Sequence, residues 1–128
     1  MLDAPCGDFN WMKEVHKDIE LYNGIDIVED IIGKNKKKYS TKIVQFYQSD
    51  ITRDPLPTSD LILYRDCLVH FCFSDISLAI RNFKASKSRY VLTTTFTNQK
   101  NNTDINTGDW RPLNLEIEPF NYQNQSWL

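Results

Sequence analysis

Glycine, cysteine and excess charge are all in short supply in this chain, and each shortage narrows what the protein can be. Four glycines in 128 residues leave few places where backbone can pass close to a ligand, and one of them, Gly7, sits in the turn after the first apolar run. Three cysteines are an odd number without a framework pattern. That argues against a disulfide-stapled secreted domain and for a reducing, cytoplasmic setting. A formal net charge of -2 makes no field to gather phosphates, so no nucleic-acid partner is expected. No apolar run approaches the roughly 20 residues that cross a bilayer, and no basic-then-apolar signal opens the chain. No membrane partner is expected either.

What is present suits a packed domain. Aliphatic and aromatic residues are plentiful enough for a core, and the length fits one domain over residues 1–128. The basic run 34–38 reads as a solvated helix end rather than a binding patch. Asn101-Asn102-Thr103 and Asn124-Gln125-Ser126 match the glycosylation tripeptide, but in a cytosolic chain they are polar loops.

Periodicity alternates between two kinds of element. Residues 1–4 look like the tail of a strand. Asp8 reads as the N-cap of a helix to about Lys17, with Phe9, Met12, Val15 and His16 at helical spacing. Residues 21–27 form a buried strand interrupted by Asn23-Gly24, and 28–38 a helix with Ile31 and Ile32 inward. A third strand covers 42–48, with Ile43, Val44, Phe46 and Tyr47. Pro55 and Pro57 forbid any regular element there. The short apolar run 61–64 marks a strand buried on both faces. Ser74 caps a helix whose apolar side is Ile76, Leu78, Ala79, Ile80 and Phe83. A fifth strand spans 89–96, rich in β-branched threonine. A polar loop follows, and alternation at 113–117 suggests a final edge strand. Strands alternating with helices over short links predict an α/β fold: a Rossmann-like three-layer sandwich with a mostly parallel sheet.

In such a sheet ligands sit beyond the carboxyl ends of the strands, where the order reverses. Asp3, Asp26, Asp50 and Asp66 each follow a strand-like run. Asp26 lies nineteen residues after Gly7, the arrangement that sets a tight turn beside a cofactor and an acid on its ribose hydroxyls. The bland alternative for Asp26 is an N-cap, and both roles can coexist. A pyrophosphate demands closer backbone approach than Pro5 and Phe9 allow, whereas a cofactor without phosphates does not. This tilts the reading away from a nicotinamide dinucleotide and toward an adenosyl sulfonium.

Leu2-Asp3-Ala4-Pro5-Cys6-Gly7 resembles the first motif of the class I S-adenosylmethionine-dependent methyltransferases, an acid followed by a glycine-rich turn. Asp26, with Ile27 beside it, falls where that family's ribose-binding acid lies. Ser49-Asp50-Ile51 resembles the segment that flanks the adenine. The run from Asp60 through Arg65-Asp66 to His70-Phe71 resembles the fourth strand and the turn bordering methyl donor and substrate, and 89–96 resembles the fifth strand. The resemblance implies S-adenosyl-L-methionine as cofactor, held by Asp3, Ala4, Cys6, Gly7, Asp26, Ile27, Asp50, Ile51 and Arg65. The chain departs from the family where Pro5 and Phe9 stand in place of glycines. It also lacks an Asn-Pro-Pro-Tyr-like signature, so methylation of DNA bases or glutamine has no support. The family usually carries a helix before the first strand and a late pair of strands, so the resemblance implies a chain shortened at both ends.

Four residues remain as candidates toward an unknown acceptor, small molecule or protein: Asp66 and His70 for catalysis or contact, Trp110 and Arg111 for contact. His70 has the chemistry of a general base, against a half-buried helix position. Trp110 and Arg111 line a substrate pocket, or else Trp110 covers the sheet edge while Arg111 pairs with Asp109. Cys67, His70 and Cys72 lie too close in sequence to complete a zinc site, so no metal is expected, and Cys6 reads as a small turn residue rather than a nucleophile. The function expected is methyl transfer. Its alternatives are a non-catalytic binding module derived from a methyltransferase and, more weakly, a nicotinamide-dependent oxidoreductase. Oligomeric state is not legible.

Overall fold

The computed structural model describes residues 1–122. The Asn124-Gln125-Ser126 triplet and Trp127 lie outside the described residues. In chain order the elements are β1 (Leu2–Asp3), α1 (Met12–Val15), a 3-10 turn (His16–Asp18), β2 (Tyr22–Asp26) and α2 (Glu29–Tyr39). There follow β3 (Val44–Gln48), β4 (Leu61–Tyr64), a second 3-10 turn (Leu68–His70), α3 (Phe73–Ala85) and β5 (Tyr90–Thr93). The strands form one sheet in the order β3-β2-β1-β4-β5, every neighbouring pair parallel. The order reverses at β1, which therefore marks the switch point. This is a Rossmann-like arrangement.

Strand alternation divides the core between the two faces. Leu2, Ile25, Ile62 and Tyr64 pack with Ile76, Ala79, Ile80 and Phe83 of α3. On the other face Tyr22, Val44 and Phe46 pack with Phe9, Met12 of α1 and Ile32 of α2. Gly24 in the middle of β2 is required by packing. A Cβ there would lie 2.9 Å from both Cys6 Cβ and Phe46 Cδ1, so what reads as an interruption is a close approach of β2 to the first turn.

Several elements differ from their sequence reading. The helix expected over 8–17 is four residues of α1 plus a 3-10 turn, and it begins only at Met12. Phe9 has a φ of 62°, outside any helix, and Asp8 accepts the Asn10 amide at 3.0 Å to close a local turn. Val15 is consequently exposed. In β3 Val44 and Phe46 point inward and Tyr47 faces out, as does Ile43 just before the strand. Ser74 does not cap α3. The Phe73 amide donates to Asp104 Oδ1 at 2.8 Å and the Cys72 amide to Thr107 Oγ1 at 2.9 Å, so two loop side chains from beyond β5 serve as the cap.

The fifth strand stops at Thr93, and the hydroxyls of the next two threonines bond other segments. Thr94 Oγ1 accepts the Asp66 amide and Thr95 Oγ1 the Leu115 amide. No strand forms at 113–117. Leu113, Asn114 and Leu115 are all buried rather than alternating, and their amides and carbonyls bond Phe96, Asn102 and Thr95 in an irregular segment. The lysines of the 34–38 run are exposed along the end of α2. Among the described residues no helix is long and apolar enough to cross a membrane.

Candidate functional site

The turn after β1 is stitched to both neighbouring strands. Ala4 N donates to Leu63 O at 2.9 Å and Cys6 N to Ile25 O at 2.8 Å. Between them lies a cis Ala4-Pro5 bond. Gly7 follows with φ 56°, and a Cβ added there would meet nothing within 4 Å. Its backbone therefore lies open. Asn35 of α2 pins the turn from below, its Nδ2 donating to Gly7 O at 2.7 Å and lying 3.9 Å from Cys6 Sγ. The sequence hides Asn35 in a polar run, although it falls one helical turn after Ile32.

Asp26 ends β2 beside this turn. Its Oδ2 accepts the Gly7 amide at 3.2 Å and its Oδ1 accepts the Val28 amide at 3.0 Å. A carboxylate has about four acceptor positions, so two such bonds leave capacity for further donors. Ile27, next to it, projects an exposed side chain.

Asp3 is the more deeply buried of the two buried acids at the site, Asp26 being the other. Burial raises its carboxyl to about 6, opposed by the hydrogen bond from Tyr22 Oη (2.7 Å) and the charge of Arg65, and reinforced by that of Asp26. The folded state thus holds a proton more tightly than the unfolded chain. Stability from this group is full below about pH 4 and falls as pH rises through about 6. Asp3→Asn keeps an acceptor for Tyr22, so it is expected to be more stable than the parent at pH 7 by roughly 1–3 kcal/mol. Urea midpoints from pH 4 to 8 test this, and an equal gap at both ends would refute the assignment to Asp3.

Asp50 and Ile51 follow β3. Burial pushes the Asp50 carboxyl up, but bonds from the Thr52 hydroxyl and amide and the charge of Arg53 outweigh it and hold it below the ordinary range. Ile51 is buried, and its carbonyl accepts Asn82 Nδ2 of α3 at 2.8 Å. Across the switch point, Arg65 and Asp66 follow β4. Asp66 takes φ 52°. The Arg65 guanidinium lies 4.6 Å from the centre of the Trp11 ring and its Nε 3.8 Å from Asp66 Oδ2. One cation thus links the end of β4 to the segment after β1. Trp11 carries no signal in the sequence beyond its size.

His70 is tethered by its ring. Nδ1 is 2.9 Å from the Asp109 carbonyl oxygen, which accepts only, so the neutral imidazole carries its proton on Nδ1 and leaves Nε2 as a bare acceptor. Trp110 is exposed and meets Phe96 edge-to-face, ring centres 6.3 Å apart. Among the described residues Arg111 does not pair with Asp109. It is buried, and its guanidinium donates to the carbonyls of Thr103, Leu68, Val69 and Phe71 at 2.8–3.1 Å. Burial lowers its pKa, yet an arginine stays charged. Arg111 is a structural clamp.

The thiols point to separate partners. Burial pushes Cys6 up to about 12 and Cys67 up to about 11, so neither is a nucleophile at neutral pH. Cys67 Sγ lies 3.3 Å from Tyr64 Oη and Cys72 Sγ 3.2 Å from Ser74 Oγ. Among the described residues no group of three or more His, Cys, Asp or Glu is placed to hold a metal ion.

No protein-family model and no curated protein matches the chain. Solved structures do. Magnesium protoporphyrin IX methyltransferase from Synechocystis PCC 6803, solved with S-adenosylhomocysteine, superposes with a TM-score of 0.61 at 21% identity, over 72% of this chain and 44% of that one. Human N-acetylserotonin methyltransferase, in complex with S-adenosylmethionine, gives 0.67 at 15% identity, over 89% and 37%. The methyltransferase domain of bacterial CtHen1-C gives 0.63 at 18%, over 73% and 55%. The chain spans about half the length of these proteins or less. At such identities the likeness is one of fold, and the fold is that of class I S-adenosylmethionine-dependent methyltransferases.

Proposed function

We propose that the chain binds S-adenosyl-L-methionine across the ends of β1 and β2 and serves transfer of its methyl group to an acceptor lying toward β4 and β5. The observation that carries this is the Asp26 carboxylate, set at the end of β2 and held against the Gly7 amide with acceptor positions to spare. The residues fit the group. Gly7 has open space where a side chain would stand, while Pro5 and the buried Phe9 leave no second glycine to cradle a pyrophosphate.

In this reading Asp26 accepts the ribose hydroxyls and Ile27 lies against the adenosine, which Asp50 and Ile51 flank at its base. Asp3, Ala4, Cys6 and Gly7 border the amino-acid end, with Arg65 facing them from β4. The bound sulfonium supplies an activated methyl group. The chain's own contribution is alignment and exclusion of water, with Asp66 orienting the acceptor and His70 Nε2 taking a proton from it. The setting is cytoplasmic.

Asp26→Ala is expected to weaken S-adenosylhomocysteine binding by about ten- to a hundred-fold, the equivalent of about 1.5–3 kcal/mol for bonds to a charged group. Calorimetric titration measures it, with the unfolding temperature of the variant as control. Equal affinity in a folded Asp26→Ala protein would overturn the ribose assignment. Absence of binding to the parent would overturn the function.

A further inference from the structure

We propose that Trp110, Phe96 and His70 form an acceptor subsite for a planar aromatic compound bearing a hydroxyl group, a specificity that rests on the methyltransferase reading above. Three observations converge on it. The first is position. Phe96 lies just past β5, and Trp110 follows Asp109, whose carbonyl holds the ring of His70. Asp66 N and Thr94 Oγ1 join the ends of β4 and β5 on the same side of the sheet. The corner therefore stands at the carboxyl ends of β4 and β5, on the β5 edge of the sheet.

The second observation is that Trp110 is presented rather than left loose. Its side chain is 56% exposed, yet the backbone on either side is fixed. Gly108 N donates to His70 O at 2.8 Å, Asp109 N to Asn106 O at 3.0 Å and Arg111 N to Val69 O at 3.1 Å, and the Arg111 clamp anchors the next residue. Exposing an indole on so fixed a support forgoes the burial that a small rotation of a mobile loop would recover. Phe96 is also exposed, and the two ring planes meet at 87°. Perpendicular rings make a corner in which a flat molecule stacks on one wall and meets the other edge-on.

The third observation is chemical. In the neutral ring His70 presents Nε2 as an acceptor, which takes a hydrogen bond from a hydroxyl and none from an ether. Of the charged residues next to these three in the fold, Asp66 faces Arg65 at 3.8 Å, so that pair offsets its own charge, and Asp109 is exposed. Asp109 beside the corner disfavours carboxylate or phosphate acceptors and admits a neutral phenol.

Calorimetric titration with 2-naphthol and 2-methoxynaphthalene, on the full chain, tests the assignment. We expect 2-naphthol to bind with one-to-one stoichiometry, about tenfold more weakly in Trp110→Ala, with Trp110→Phe recovering most of the loss. His70→Gln should weaken 2-naphthol severalfold and leave 2-methoxynaphthalene unchanged, and nitrogen NMR should find the His70 proton on Nδ1. Equal affinity of parent and Trp110→Ala, equal losses for both probes in His70→Gln, or a proton on Nε2 would each overturn the subsite. Titration with S-adenosylhomocysteine in the same preparation separates the two claims. If it binds and 2-naphthol does not, the subsite falls and the cofactor reading stands. If 2-naphthol binds as expected and S-adenosylhomocysteine does not, a phenol site remains and its role as a methyl acceptor site falls.

Discussion

Arg111→Ala is expected to destabilise the fold by about 3–5 kcal/mol, because four backbone carbonyls each lose a hydrogen bond from a charged donor, worth about 1.5–3 kcal/mol apiece before the cost of burying the cation is subtracted. The residue is 6% exposed, and its guanidinium serves four carbonyls on two segments, Thr103 in the loop after β5 and Leu68, Val69 and Phe71 around the 3-10 turn after β4. Alanine leaves those carbonyls to water or to nothing, and also removes the cation stacked 5.6 Å from the Phe73 ring. Arg111→Lys should recover only part of the loss, because three donors at one point cannot span four acceptors. Urea unfolding reads the energy. Hydrogen exchange adds location: protection should fall in the segment beyond β5 and around Leu68–His70, and persist in α2, which packs on the opposite face. An unchanged midpoint would show that the four bonds contribute nothing net.

How far the sequence reveals this depends on whether a residue's role is set by its own neighbourhood. The strand β4 is legible because Leu61-Ile62-Leu63-Tyr64 is a short apolar run, although only Ile62 and Tyr64 are buried and Leu61 and Leu63 are half-buried, and α3 because Ile76, Ala79, Ile80 and Phe83 repeat at the helical period. The turn and the acids follow from those boundaries, so strand ends and spacing alone bring Gly7 and Asp26 together. Roles that depend on a distant backbone are not legible. An arginine in a polar loop gives no sign whether it meets a ligand or four carbonyls, and Arg111 does the second. Asp104 and Thr107 cap α3 from some thirty residues away in sequence, where Ser74 is the local choice. The segment 113–117 imitates a strand because Leu113 and Leu115 alternate with polar residues, but buried Asn114 turns its amide inward to the carbonyls of Thr97 and Gln99. Alternation marks a strand only when the intervening residue faces water.

Phe9 is the other position where a large effect is expected, and the comparison of two substitutions is more telling than either alone. Its φ of 62° is left-handed, costly for a bulky side chain by about 1–3 kcal/mol, and glycine is the usual residue for such a backbone. The cost is offset by its ring, which is 1% exposed and lies 5.0–5.2 Å from the rings of His16, Tyr22, Tyr39 and Phe46. That one side chain joins the first turn to β2, α2 and β3. Phe9→Ala should destabilise by about 3–5 kcal/mol, since it deletes the ring and keeps a Cβ at positive φ. At most sites glycine is worse than alanine, through the entropy of the unfolded chain. At residue 9 the order should invert, with Phe9→Gly losing the same ring but relieving the backbone, and so proving no less stable than Phe9→Ala. Thermal and urea unfolding of the pair decide it. If Phe9→Gly is clearly the weaker protein, the left-handed backbone at this position carries no strain for the ring to offset.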